Sequence, residues 1–445
     1  MRNILVLGAG RSSTSLIKYL FNNAQEENWK VRVGDISEEL AEMKVQGYER
    51  GEGFFFNVEG AEQRKREIEA ADIVVSMLPA SMHTQIAKDC IALKTPMVTA
   101  SYISDEMKAL ESDALAAGIT ILNEVGVDPG IDHMSAMKVL DEIRAKGGKM
   151  DAFESFTGGL VAPESDDNPW NYKFTWNPRN VVLAGAAGAV KFKQEGTYKY
   201  IPYHKVFRRT EIINIEGYGL FEGYANRDSL KYREVYGLSE IPTIYRGTLR
   251  RKGFCKAWDI FVQLGATDDT YVIENSEDMT YREFINSFLS YNPNDSVELK
   301  LKSYMKIDQD EVELWDKLVW LDIFSDKKIG LKRATPAQIL EHILKQKWSL
   351  KPDDKDMIVM WHKFIYKLNG VKHELHSSMV HIGKNQYETA MANTVGLPTA
   401  IATKMILNGV ITTKGVIRPI SPNIYNPVLD ELKQYGIDFT EWEVV

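Results

Sequence analysis

Within the stretch Val125–Met134, "VGVDPGIDHM", two carboxylates and an imidazole (Asp128, Asp132 and His133) fall inside six residues around a Pro-Gly turn. Such a set can ligate a metal, exchange protons, or do no more than shape a turn. Metal ligation asks for further His or Cys at ligand spacing. The two cysteines, Cys90 and Cys255, lie far apart, and the histidines show no H-E-x-x-H pattern. "HELH" at 373–376 alternates as a strand would, so no metal is expected. His133, beginning a helix, is read as a structural hydrogen-bonding group, with Asp132 as the N-cap of that helix.

A second constellation is "GAGRSS" near the N-terminus. Gly8 permits a tight turn, and Gly10 lets the backbone approach a pyrophosphate held at a helix N-terminus. Ser13 stands where the third glycine of G-x-G-x-x-G belongs. Asp35 closes the next apolar run, where a carboxylate bonds the ribose hydroxyls of NAD and repels the 2′-phosphate of NADP. A turn aspartate and a glycine-rich turn without a ligand are the blander alternatives. A third constellation is basic. "ANRDSLKYR" (225–233) and "YRGTLRRKG" (245–253), with Lys173 and Arg179, concentrate cations in loops, and arginine forks match carboxylates bidentately. Solvated strand ends are the alternative for these.

The elements that must position these residues are legible from hydrophobic pattern. Apolar runs at Ile4–Leu7, to Asp35, Phe54–Val58, 71–79, 95–102 and 118–124 alternate with helical patterns after Gly10 and near 60–70, 81–93 and 104–117. Buried strands alternating with helices predict an α/β, doubly wound dinucleotide domain with ligands at the carboxyl ends of its strands. "SMLP" (76–79) and "ASY" (100–102) close the fourth and fifth runs, and VGVDPGIDHM follows the last one. Residues 149–275 read as a mixed, largely antiparallel sheet, and 280–350 as helices. Segments 356–370 and 371–383 read as a returning hairpin, and "AMANTVGLPTAIATKMILNG" as a helix pair packing back on the first domain.

The 445 residues suggest about three domains, or two with insertions. A net charge of -8 argues against a nucleic-acid surface, and no apolar window reaches membrane-spanning length. The N-terminus reads as a first strand, not a signal peptide, and two distant cysteines fit a cytoplasmic protein.

The stretches "NEVGVDPGIDHMSAMKVLDEI", "SFTGGLVAPESDDNPWNYKFTWNPR", "ANRDS" and "YRGTLRRKGF" resemble saccharopine dehydrogenase of the glutamate-forming type, also called saccharopine reductase. "LDIFSDKKI" and the "GLPTAIATKMILNGVITTKGVIRP" tail extend the resemblance over nearly the whole chain. It implies a nicotinamide-dependent enzyme of lysine metabolism, interconverting saccharopine with glutamate plus aminoadipate semialdehyde through an imine. It further implies a Rossmann domain over 1–126, joined by C-terminal helices from about 388. A mixed α+β substrate and dimerisation domain would take 127–275 with 353–387, and a small helical domain 276–352. A homodimer is expected.

By matching motif, the phosphate end of NAD or NADP would touch Ala9, Gly10, Arg11 and Ser12 beside Gly8 and Asp35. Asn57, Val58, Leu78, Ala100 and Ser101 would follow, then Val127, Asp128, Pro129 and Asn177. The amino-acid substrate would touch Ser101, Tyr102, Asp128, Arg227, Thr248, Leu249 and Arg250, with Asp128 and Tyr102 positioning the amine or the attacking water. Three departures from the family pattern stand out. Arg11-Ser12 replaces Phe-Val, Asp35 stands where NADP-using members carry an arginine, and Thr157 replaces a cysteine. An imine reductase acting on a carboxylated polyamine, and a catalytically silent dinucleotide module, are the competing expectations.

Overall fold

The computed structural model describes residues 1–184 and 188–444. Its chain divides into two compact units: Met1–Lys149, Lys367–Val371 and Met379–Glu441 in the first, and Met150–Tyr366, Lys372–Ser378 and Trp442–Val445 in the second.

The first unit runs β1 (Arg2–Leu7), α1 (Thr14–Ala24), β2 (Trp29–Asp35), α2 (Glu38–Val45), β3 (Gly51–Phe55) and α3 (Ala61–Glu69). It continues β4 (Ile73–Ser76), α4 (His83–Leu93), β5 (Met97–Val98), α5 (Asp105–Lys108), α6 (Glu111–Ala117), β6 (Thr120–Leu122) and α7 (Ile131–Ala145). The second unit opens with β7 (Lys149–Val161), α8 (Pro178–Val182), β8 (Val190–Gln194), β9 (Thr197–Ile201), β10 (Thr210–Ile215), β11 (Gly219–Ala225), α9 (Tyr232–Val235), β12 (Thr243–Arg251) and α10 (Phe254–Leu264). Four helices follow: α11 (Tyr281–Ser287), α12 (Val297–Met305), α13 (Val312–Trp320) and α14 (Pro336–Trp348). The long strands β13 (Asp356–Leu368) and β14 (Val371–Ile382) come next; the chain then returns to the first unit for α15 (Ala390–Leu407), β15 (Gly415–Ile417) and α16 (Pro422–Lys433), and β16 (Thr440–Glu443) follows.

The first sheet is parallel throughout, in the order β15-β6-β5-β4-β1-β2-β3. Its interior strand β1 carries an unbroken apolar run, Ile4-Leu5-Val6-Leu7, and each of these residues is at most 1% exposed. A strand covered by helices on both faces needs apolar side chains on both. Leu7 is in register with Gly34 and with Ser76, so the loops leaving β1, β2 and β4 emerge at one edge. The second sheet follows β10-β11-β12-β7-β13-β14-β16, with β8 joined to β12 and β9. It is mixed: β12 is antiparallel to β11 and parallel to β7. Asn369 and Gly370 turn β13 into β14 with φ of 51° and 82°, the left-handed pair a two-residue hairpin needs.

Four local readings differ from the pattern. β3 ends at Phe55 instead of Val58, which leaves Asn57 and Val58 in the loop beyond the strand. The helix expected over 104–117 is two short helices, because Ser104 caps the first and Leu110 interrupts the run. The expected helix pair at 390–407 is one helix, α15, that runs through Pro398. The lost backbone bond there is offset by packing. Gly396 brings α15 so close to α1 that a Cβ would lie 2.7 Å from the Leu16 nitrogen, and Thr399 bonds Val125 O at 2.9 Å. Finally, α7 begins at Ile131, two residues before the expected start at His133, with Gly130 in the capping position. Asp132 is therefore not its N-cap but a residue inside the first turn, whose carboxylate accepts the Gly130 N–H at 2.6 Å.

Candidate active site

Gly8 has φ of +106°, and a Cβ there would sit 2.7 Å from the Met77 carbonyl oxygen, so the first turn admits only glycine. Gly10 is a different case: its φ is ordinary, and no heavy atom lies within 4 Å of where its Cβ would be. The backbone at Gly10 faces open space at the start of a helical run, the shape a pyrophosphate requires. Ala9 donates its N–H to Asp35 Oδ2 at 2.7 Å, and Ser37 donates its own to Oδ1 at 2.9 Å. Asp35 thus shapes the loop as well as presenting a carboxylate. Arg11 is exposed and Ser12 half-buried in the 3-10 turn leading into α1. These residues fit a nicotinamide dinucleotide.

Further along the same edge, Asn57 follows β3 and accepts the Glu59 and Gly60 N–H groups, while Val58 is buried with its carbonyl bonded by Arg64 at 2.5 Å. Leu78 follows β4, and Ala100 and Ser101 follow β5, all three half-buried. Ser101 brings in a residue that sequence reasoning missed. His83, the first residue of α4, lies between Ser76 Oγ (2.8 Å from Nδ1) and Ser101 Oγ (2.7 Å from Nε2). Burial pushes the His83 imidazole down to about 4, so it is neutral at physiological pH. The available signal was a histidine at a helix start, seven residues after a serine that ends a strand.

The VGVDPGIDHM stretch folds back on itself. Gly126 N–H donates to Pro129 O at 2.9 Å, Ile131 N–H to Gly126 O at 2.9 Å, and the Asp128–Pro129 bond is cis. Gly130, at φ of +148°, packs so tightly that a Cβ would lie 2.1 Å from the Gly126 carbonyl oxygen. Val127 and Pro129 are buried, and Asp128 is left half-exposed at the tip. Tyr102 donates its hydroxyl to Asp128 Oδ1 at 3.1 Å, which brings the two expected catalytic residues together. His133 is wholly buried, with Nε2 2.9 Å from Glu124 Oε2. Glu124 also takes the Ile103 N–H at 2.9 Å and pairs with Arg418 at 3.0 Å. Burial opposes ionisation of Glu124, but the His133 bond and the Arg418 charge outweigh it and hold the carboxyl below its ordinary range. This network anchors the backbone beside Tyr102, and Glu124 is a second residue that motif reading passed over. Among the described residues, no group of three or more His, Cys, Asp or Glu is placed to hold a metal ion.

In the second unit the arginine-rich face sorts into structural and available cations. Lys173 is buried and pairs with Asp167 at 2.8 Å and Asp354 at 2.7 Å. Arg179 pairs with Asp269, and Asn177 caps α8 through the Arg179 N–H. Arg251 lies over Phe221 and bonds the Tyr218 carbonyl. Arg250 is the exception. It is 5% exposed and ringed by Tyr172, Tyr224 and Phe254 at 5.1–5.9 Å, with one bond from Nη1 to the neighbouring Leu249 carbonyl. Its Nε has no partner, and no carboxylate pairs with it among the described residues. Thr248 stands two positions before it, in register with Tyr224 and with Thr157, whose hydroxyl is also buried without a partner. Leu249 projects to the opposite face, as strand alternation requires. Arg227 is exposed on the turn after β11, at φ of 54°.

Two family models cover the chain: "Saccharopine dehydrogenase NADP binding domain" over residues 4–122 and "Saccharopine dehydrogenase C-terminal domain" over 126–437. The saccharopine dehydrogenase [NADP(+), L-glutamate-forming] of Saccharomyces cerevisiae is 33% identical over 446 residues, covering 99% of both chains. The mitochondrial alpha-aminoadipic semialdehyde synthase of Rattus norvegicus is 35% identical over 464 residues. That match takes 98% of this chain but 47% of the relative, so the chain spans about half the length of that protein. Among solved structures, apo saccharopine dehydrogenase (L-Glu forming) from Saccharomyces cerevisiae superposes with a TM-score of 0.92 at 32% identity over all of both chains. Homospermidine synthase from Legionella pneumophila shares the fold alone, with a TM-score of 0.55 at 10% identity over 100% of this chain and 91% of its own.

Proposed function

The chain belongs to the saccharopine dehydrogenase family, and from that premise we propose that it interconverts saccharopine with L-glutamate and aminoadipate semialdehyde through an imine, as a nicotinamide-dependent oxidoreductase of lysine metabolism. The observation that carries this reading is Arg250. A guanidinium buried among aromatic rings, and paired with no carboxylate among the described residues, is a charge waiting for its counter-ion, and a carboxylate of the substrate supplies one. A carboxylated polyamine has a cationic tail that such a residue would repel.

Gly8–Ser12 and Asp35 hold the adenosine and pyrophosphate end of the cofactor. Asn57, Val58, Leu78, Ala100, Val127, Pro129 and Asn177 are assigned to the rest of it. Acceptance or delivery of hydride is the chemistry that a bound nicotinamide supplies. The chain's own residues orient and exchange protons. Arg250 and Arg227 each take a substrate carboxylate, with Thr248 and Leu249 beside them. Tyr102 steadies Asp128 through its hydroxyl, and Asp128 positions the secondary amine, then the water that opens the imine. Ser101 bonds the ligand from the cofactor edge. The protein acts as a cytoplasmic homodimer, and no helix of the described residues is long and apolar enough to cross a membrane.

The test is reduced-cofactor formation with saccharopine, measured with NAD and with NADP, beside carboxynorspermidine as the competing substrate. Turnover of saccharopine alone is expected. Turnover of the polyamine alone would transfer the reading to an imine reductase, and no turnover of either would leave a silent dinucleotide module.

A further inference from the structure

His83 joins two serines that the reaction as described leaves apart. Ser76 ends β4 with no exposed surface, and among the described residues the only partner of its hydroxyl is His83 Nδ1, at 2.8 Å. A buried O–H must donate somewhere, because a donor left without an acceptor away from water is expensive. Among the described residues, the only acceptor within hydrogen-bond reach of the Ser76 hydroxyl is Nδ1. If Nδ1 carried the proton, it would donate to Ser76 Oγ, and the serine proton would point at nothing. The accounting closes one way: Ser76 O–H donates to Nδ1, and the imidazole proton resides on Nε2. Nε2–H then donates to Ser101 Oγ at 2.7 Å.

We propose that His83 is a positioning residue that fixes the direction of the Ser101 hydroxyl: by filling the serine oxygen as acceptor, it turns the Ser101 O–H outward as an obligate donor to a ligand oxygen. The ligand class follows. Ser101 is half-buried at the carboxyl edge of β5, and an outward donor there suits a carboxylate or amide oxygen and disfavours an ammonium. Burial keeps the ring neutral, which preserves the acceptor at Nδ1. The proposal rests on the reading that Ser101 faces the ligand.

Two measurements test the relay and the contact separately. Long-range N–H correlation spectra of the free protein, with histidine ring nitrogens isotopically labelled, report the tautomer of each ring, and His83→Gln identifies the signal. The Nε2–H neutral form is expected throughout about pH 5 to 8. An Nδ1–H tautomer, or a ring that charges in that range, would overturn the relay. In the second measurement, Ser76→Ala and Ser101→Ala are each expected to raise the KM of saccharopine or cofactor by about three- to tenfold, with kcat little changed. The double variant is expected to be no worse than Ser101→Ala. Additive losses would mean that Ser76 acts independently of Ser101 and would sink the proposal. An unchanged KM in Ser101→Ala alongside the expected tautomer would overturn the ligand contact while the relay stood.

Discussion

Replacing Arg250 by methionine separates recognition from folding. The guanidinium is buried without an ionic partner among the described residues, so an apolar side chain of similar volume is expected to leave thermal stability unchanged or higher. Loss of charge-assisted bonds to a carboxylate is expected to raise the KM for saccharopine by about ten- to a hundredfold. Steady-state kinetics beside a melting curve checks both directions, and loss of stability with an unchanged KM would make Arg250 a structural residue. At Asp35 the two roles also separate. Asp35→Asn keeps an oxygen for the Ala9 N–H but drops the charge that repels a 2′-phosphate. The ratio of kcat/KM for NADP over NAD is expected to rise about tenfold, and an unmoved ratio would place the phosphate discrimination elsewhere. Asp35, Arg227 and Arg250 stand out in the sequence because their type and spacing suit the proposed chemistry. Lys173 and Arg179 look alike in sequence, yet both are committed to acids far away along the chain, Asp354 and Asp269.

At the scale of elements, the helix α15 and the glycine loop are tied through Gly396. Alanine in mid-helix ordinarily stabilises by about 0.5–1 kcal/mol over glycine. Here its Cβ would press on the Leu16 nitrogen at 2.7 Å and the Ser12 carbonyl oxygen at 3.1 Å. Gly396→Ala is therefore expected to destabilise by about 1–3 kcal/mol and to weaken dinucleotide binding. Gly10→Ala provides the contrast: nothing crowds its Cβ, so folding should survive while cofactor affinity falls. Denaturation and cofactor titration of the two variants read these opposite patterns. If Gly396→Ala were stabilising, the close approach would be irrelevant. The helix pair expected from "AMANTVGLPTAIATKMILNG" is one helix here because packing against α1 outweighs the propensity of Pro398.

At the scale of the whole molecule, acid stability depends on what is buried neutral. The unfolded His83 titrates near 6.5 and the folded one near 4. Below 6.5 the unfolded chain takes up the proton first, so stability is full above that pH and falls as pH drops toward 4, by about 3 kcal/mol at most. His83→Gln is expected to flatten that part of the stability curve, and an unchanged slope would point to carboxylates such as Glu124 instead. The division of labour proposed for 276–352, a helical domain of its own, is open to limited proteolysis. A stable fragment with those bounds is expected, and cleavage within α11 to α14 before the loops around them would refute it. Light scattering at micromolar concentration tests the proposed homodimer.

The sequence by itself determined the alternation of apolar strands and helices, the glycine loop after β1, and the long motifs that carry the family resemblance, because each rests on local period, turn chemistry or contiguous residues. Only the tertiary structure decided which polar groups are already spent. Glu124 meets Arg418 and His133 inside the first unit, and His83 bridges Ser76 and Ser101. Arg250 lies among the rings of Tyr172, Tyr224 and Phe254, and no carboxylate pairs with it among the described residues. Hydrogen-bond satisfaction and charge pairing belong to neighbours in space, and a linear pattern does not record them.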